Sequence, residues 1–331
     1  MERREFLKSA ALAALAASAA PEGNAYPAAA GEMPHRTLGR TGAKTSLVGI
    51  GGYHLGLGKV TEDEAVRIVR TALDSGVNFL DNCWDYNNGV SEVRMGKALR
   101  DGYRRKAFLM TKLDGRTRAS AQQQLEQSLQ RLQTDHLDLI QIHEVIRMSD
   151  PERVFAPGGT MEYLEQARKE GKVRFIGFTG HKSPEIHLHM IEVARQHNYT
   201  FDTVQMPLNV MDAHFDSFAR KVIPVAAKLN MGILGMKPMG DSMILRSKTA
   251  TPVECLQYAM NLPVTTVITG CDSMDILHQA LDTARNFRPL SQQQLASILN
   301  KTESVAQAGQ YELYKTSHQF DGTYTNPQWL G

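Results

Sequence analysis

From His35 onward the sequence repeats one beat eight times: a short apolar run, then a longer segment whose apolar residues recur at helical spacing. The apolar runs are 46–52, 77–81, 108–111, 137–142, 173–178, 203–206, 232–236 and 264–268. The amphipathic segments are 62–75, 91–99, 119–132, 161–170, 184–197, 215–229, 252–261 and 274–284. Strict alternation predicts a parallel sheet, because parallel neighbours are joined only by a crossover long enough to hold a helix. Eight such units in about 250 residues have the size of a closed (β/α)8 barrel. An open doubly wound sheet would carry a Gly-x-Gly-x-x-Gly turn after its first strand, and Gly49-Ile50-Gly51-Gly52 lacks that spacing. The expected fold is therefore an α/β (β/α)8 TIM barrel, one domain over residues 35–331. Residues 291–305 read as an extra helix, and 311–331 as a loop able to cover a pocket.

Composition narrows the function. A formal net charge of +2, with no basic stripe, leaves no electrostatic footprint for nucleic acid. The three cysteines, Cys83, Cys255 and Cys271, are too few and too scattered for a zinc or iron–sulfur framework. Hydrophobic residues at 42% and charged residues at 22% suit a soluble globular chain.

The first 30 residues stand apart from the barrel pattern. Arg3-Arg4-Glu5-Phe6-Leu7-Lys8 precedes an alanine-rich run at 9–20, and small residues follow. The pattern resembles a twin-arginine export signal. It predicts the twin-arginine export machinery as a partner and a periplasmic destination. The run is too short and too alanine-rich for a stable span, which needs about 20 strongly apolar residues.

In a barrel of this type, reactive residues come from the C-terminal ends of the strands. Those ends place Asp81 after the second strand, Lys112 after the third and His143 after the fourth. Tyr86 lies on the loop beyond Asp81. Each alone has a structural explanation: a turn cap, a surface lysine, a core histidine, a packing tyrosine. Together they must meet at one rim. There Asp81 would keep Lys112 charged, and the ammonium would favour tyrosinate and lower the Tyr86 pKa from about 10. His143 would hydrogen-bond a carbonyl oxygen and aim it at the Tyr86 hydroxyl. Such a site moves a proton but holds no reducing equivalent, so a nicotinamide hydride is the natural complement.

These residues resemble the aldo/keto reductases, over nearly all of the chain from Thr37-Leu38-Gly39-Arg40-Thr41-Gly42 through Asp282. The resemblance implies an N-terminal hairpin, a catalytic set of Tyr86, Asp81, Lys112 and His143, and NAD or NADP as cofactor. Asp81-x-x-x-x-Tyr86, Gly89-Val90-Ser91-Glu92, Thr111-Lys112 and Ile142-His143 carry it. It further implies that Gly51, Gly52, Tyr53, Asp81, Thr179, His181, Gln205, Met236, Lys237, Gly270, Asp272 and Asp275 approach the cofactor. Where NADP-preferring members place cations, 269–276 offers Asp272 and Asp275 instead, which tilts the reading to NAD. Lys237 and Arg246 are the cations placed to reach a phosphate from another loop.

Trp84, Tyr53, His143 and Glu144 are expected to line a mouth for a small-molecule carbonyl or sugar. No metal is expected, since His187 and His189 are two apart on a helix and point to different sides. Cys83 reads as packing rather than as a nucleophile. The chain is thus expected to be an NAD(P)-dependent oxidoreductase on CH–OH or C=O groups. An exported setting raises a second possibility, an isomerase or lyase with a tightly held, internally recycled nucleotide. A non-catalytic binding barrel is the third.

Overall fold

The computed structural model describes residues 31–331, and the expected export signal at 1–30 lies outside them. Two short strands, β1 (His35–Thr37) and β2 (Lys44–Ser46), pair antiparallel as a hairpin. The strands that follow are β3 (Val48–Gly51), β4 (Phe79–Asp81), β5 (Phe108–Leu113) and β6 (Leu137–Ile142). After them come β7 (Val173–Thr179), β8 (Thr203–Pro207), β9 (Gly232–Met236) and β10 (Thr266–Gly270). These eight close into a barrel in the order β10-β3-β4-β5-β6-β7-β8-β9. Every adjacent pair is parallel, and β3 meets β10 at the seam, where Gly51 pairs with Gly270.

Side chains on a strand alternate between faces, so residues two apart share one. Phe79, Phe108, Met110, Leu139, Leu234 and Ile268 form the packed interior. Two residues further along the same faces stand Asp81, Lys112, Gln141, Met236 and Gly270. The apolar layer thus fixes which polar residues reach the C-terminal rim. Below it, Leu38 of the hairpin is wholly buried in the same cluster and closes the base of the barrel. Gly39 beside it has φ +49°, and a Cβ there would lie 2.4 Å from the Gly232 amide nitrogen. Only glycine allows that approach.

Helices cover the outer face. The segment Glu62–Asp74 starts where the Thr61 side chain accepts the Glu64 N–H, and it buries Ala65, Ile68, Val69, Ala72 and Leu73. Three expectations are corrected. The single helix at 215–229 is two, Phe218–Lys221 and Ile223–Lys228. Pro224 has no N–H to continue the ladder and crowds the preceding turn. A helix unforeseen in the sequence, Asp150–Phe155, follows the β6 loop, with Pro151 in its first turn. The tail at 311–331 is not plain loop but a string of turns, Leu313–Thr316, Gly322–Thr325 and Pro327–Leu330. Among the described residues no helix is long and apolar enough to cross a membrane.

Candidate active site

At the rim, Lys112 is fully buried and Asp81 nearly so. Lys112 Nζ donates to Asp81 Oδ1 at 2.6 Å, to the Asn82 carbonyl at 2.7 Å and to Tyr86 Oη at 3.3 Å. The second Asp81 oxygen accepts from Gln205 Nε2 at 2.9 Å. A buried ion pair is held together only when further hydrogen bonds satisfy its remaining atoms, and here three neighbours do so. Tyr86 opens a turn in which Asn87, Asn88 and Gly89 all have positive φ, a run that asparagine and glycine tolerate. The turn sets the Tyr86 ring edge-on to Tyr53 at 5.4 Å and to His143 at 5.8 Å.

The acidity expected of Tyr86 is not what its surroundings produce. Burial pushes its pKa well above the ordinary value, and the acidic groups around it, Asp81 foremost, push it further. The nearby Lys112 does not reverse this. Tyr86 is therefore a firmly protonated phenol.

His143 ends β6 with its ring set among acidic partners. Nδ1 lies 2.9 Å from Asp114 Oδ1, 3.2 Å from Cys83 Sγ and 3.6 Å from Asp85 Oδ1. Burial lowers the His143 pKa, against Asp85 and Glu144, which raise it. Burial also raises Asp85 to about 7 and Asp114 to about 8, with carboxylate repulsion adding to each. Beneath them Arg116 is wholly buried. Its guanidinium donates to the Asp114, His143 and Glu144 carbonyls at 2.7, 2.7 and 2.9 Å and to Asp150 Oδ1 at 3.1 Å. Asp114, Arg116 and Asp150 were not singled out in the sequence. For Asp114 the signal was there, in a charged residue immediately beyond the end of a barrel strand.

The tail straps the rim. Glu144 accepts the Gly322 and Thr323 N–H groups at 2.8 and 2.7 Å. Asp321 pairs with His181 Nε2 at 2.9 Å, Lys182 Nζ at 2.8 Å and His318 Nδ1 at 2.7 Å. Trp329 meets Trp84 edge-to-face at 5.6 Å.

A cavity of about 430 Å³ runs from Tyr86 and His143 across the rim to the β10 loop. Gly51, Tyr53, Asp81, Glu144, Thr179, His181, Gln205, Met236, Lys237, Gly270 and Asp272 line it, as the sequence predicts. Gly52, Trp84, Lys112 and Asp275 do not. Gly52 packs on Asn82, Trp84 turns to the tail and donates to Gln127, and Asp275 is exposed on its helix. Lys112 sits behind Tyr86 and donates to its hydroxyl. The absence of a cation near Asp272 is also corrected: Lys59, distant in sequence, forms an ion pair with it. Lys237 Nζ lies over the Tyr314 and Phe320 rings, and Arg246 is exposed outside the cavity wall. His187 is buried against the Gln205 carbonyl while His189 pairs with Glu152, so the two do face apart.

A sequence model of the Aldo/keto reductase family matches residues 47–254, which carry β3 through β9 and the whole acid–lysine–tyrosine–histidine rim. The chain belongs to the aldo/keto reductase family. Aldo-keto reductase AFTS1 of Alternaria alternata is 32% identical over 262 residues, covering 66% of this chain and 69% of that protein. L-galactose dehydrogenase of Arabidopsis thaliana is 35% identical over 155 residues, 44% of this chain and about half, 48%, of that protein. Among solved structures, aldo-keto reductase AKR11C1 from Bacillus halodurans (holo form) superposes with a TM-score of 0.69 at 24% identity. That match covers 82% of this chain and 96% of the other, and it speaks for the fold. Aldo/keto reductases are oxidoreductases that generally use NAD(P)H. The residues here fit such a group on two observations. Gln205 Oε1 is buried at the cavity without a hydrogen-bond partner, matched to an amide N–H. Gly51 and Gly270, paired across the seam, both line the cavity, and the His54 ring packs against Gly270.

Proposed function

We propose that this aldo/keto reductase reduces a polar carbonyl, with Tyr86 as the general acid. The observation that carries the reading is the Tyr86 hydroxyl 3.3 Å from the Lys112 ammonium, which is itself held by Asp81. When bound, the nicotinamide supplies the hydride. The chain's own residues do the rest. His143 Nδ1 is committed to its acidic neighbours, which leaves Nε2 for the cavity and for the carbonyl oxygen. Tyr86 donates its proton to the alkoxide as it forms, a downhill transfer even for a phenol of raised pKa. Lys112 stabilises the resulting tyrosinate, and Asp81 and Gln205 keep the lysine in place.

Asp272 at the β10 end favours NAD, as acceptor of a ribose hydroxyl. Tyr53, Glu144 and His181 give the mouth polar groups suited to a hydroxylated substrate, and the name of the Arabidopsis relative supports a sugar. The N-terminal pattern supports twin-arginine export to the periplasm. The tail strap supports a second reading, in which the nucleotide is held through many turnovers: co-purifying nucleotide that survives dialysis favours it, and free exchange removes it.

Tyr86→Phe tests the main reading. Turnover should fall by about 10²–10⁴, while nucleotide titrations stay within roughly twofold of wild type. Retained turnover overturns the role of Tyr86.

A further inference from the structure

Beside His143, at the edge of the cavity that Asp85 and His143 both line, four metal-ligating side chains come together from three loops. Cys83 and Asp85 follow β4, Asp114 follows β5 and His143 follows β6. One donor atom from each lies within 4.8 Å of all the others. The groups around His143 crowd onto a single ring nitrogen. Nδ1 has at most one N–H to give, yet a thiol and two carboxylates crowd it at 2.9 to 3.6 Å. Asp114 is completely buried and its Oδ2 has no hydrogen-bond partner; neither has Asp85 Oδ1, which points at His143 Nδ1 from 3.6 Å. A buried carboxylate oxygen left unpaired is costly, and a cation is the partner that would satisfy all four groups at once.

We propose that Cys83, Asp85, Asp114 and His143 form a binding site for one divalent cation of the zinc class. A tetrahedral ion with bonds of about 2.0–2.3 Å sets its ligand atoms about 3.3–3.8 Å apart. Around Nδ1, the Asp114 and Cys83 separations fall below that range and the Asp85 separation within it, so a small opening of the cluster admits the ion. The donor set selects the metal: a thiolate and an imidazole suit zinc or cobalt(II), whereas magnesium and calcium prefer all-oxygen shells. The site is also braced. Arg116 holds the carbonyls of Asp114, His143 and Glu144, and Gln124 Oε1 accepts the Asp114 and Gly115 N–H groups at 2.8 Å. The loops carrying Asp114 and His143 are thus held before a metal arrives.

The consequence for turnover rests on the proposed function above. With Nδ1 on the metal, the ring proton resides on Nε2, the nitrogen left for the cavity, and His143 becomes a donor to the carbonyl oxygen. Metal entry requires Cys83, and Asp85 and Asp114 wherever they are protonated, to release their protons to solvent, and no electron changes hands.

The test uses the full chain stripped with chelator and then dialysed against zinc or cobalt(II) at micromolar free metal. About one ion per chain should bind, and the cobalt form should show a near-ultraviolet thiolate-to-metal charge-transfer band. Cys83→Ser should lose that band, and Asp114→Asn should weaken binding at least tenfold, with circular dichroism showing both folded. Should either variant fail to fold, X-ray absorption on the wild-type zinc form decides, by a sulfur scatterer at about 2.3 Å. No bound metal, equal binding in both variants or a shell without sulfur overturns the site. Tyr86→Phe should still bind the ion, so loss of the Tyr86 reading and loss of the metal site are told apart.

Discussion

His187 shows how a single buried group contributes to the pH response of the chain. Its ring is sealed between Phe178 and Phe218, and burial pulls its pKa down to about 4. The unfolded chain, with an ordinary histidine, therefore holds the extra proton between about pH 6.5 and 4. Stability from this residue is complete above pH 6.5 and is lost as pH falls through 4, on the order of 3 kcal/mol in all. The melting temperature should drop over that window, and His187→Gln, which keeps an N–H for the Gln205 carbonyl, should drop less. Equal slopes would remove the effect from His187. At this scale the sequence was legible wherever strand ends carried charge: Asp81, Lys112 and His143 meet as expected. It was not legible for Asp114 against His143 or for Lys59 against Asp272. Those contacts depend on how far separate loops lean, which no periodicity records. The expected fall in the Tyr86 pKa failed for a related reason, since burial and its acidic neighbours are properties of the assembled rim.

The element that most shapes access is the tail. Glu144, itself in a left-handed conformation, grips the Gly322 and Thr323 amides, and Asp321 is locked by His181, Lys182 and His318. Hydrogen bonds to a charged carboxylate contribute about 1.5–3 kcal/mol each. Glu144→Ala should therefore speed nucleotide dissociation tenfold or more in stopped-flow fluorescence and expose 311–331 to protease. Unchanged rates would mean that the strap does not gate exchange. The sequence placed this segment over the pocket because its aromatics had no strand or helix pattern to serve. Its turns and its grip on Glu144 were hidden, being set by single polar contacts. The helix at 215–229 misled in the other direction: its apolar spacing outran Pro224.

For the whole molecule, the base of the barrel is as decisive as the rim. Leu38 plugs the interior from a hairpin that belongs to no barrel strand, so Leu38→Ala should leave a cavity and cost about 2–5 kcal/mol in denaturant unfolding. Nucleotide affinity of the folded fraction should be unchanged; a loss of affinity at full folding would mean that the plug shapes the rim. The count of eight units, with no Gly-x-Gly-x-x-Gly turn after the first strand, made closure readable from the sequence. The seam between β3 and β10 has a further effect. Gly51 and Gly270 are strangers in sequence, yet they share both a backbone pairing and the cavity wall. A ligand seated there touches the first and last barrel strands together and has no counterpart site in any chain whose barrel stands open. Binding must then favour the closed ring by mass action, by about 2.7 kcal/mol at a hundredfold excess over Kd. Amide hydrogens of β3 and β10 should exchange more slowly with nucleotide present than those of β6 and β7, and the ligand becomes the rivet that finishes the barrel.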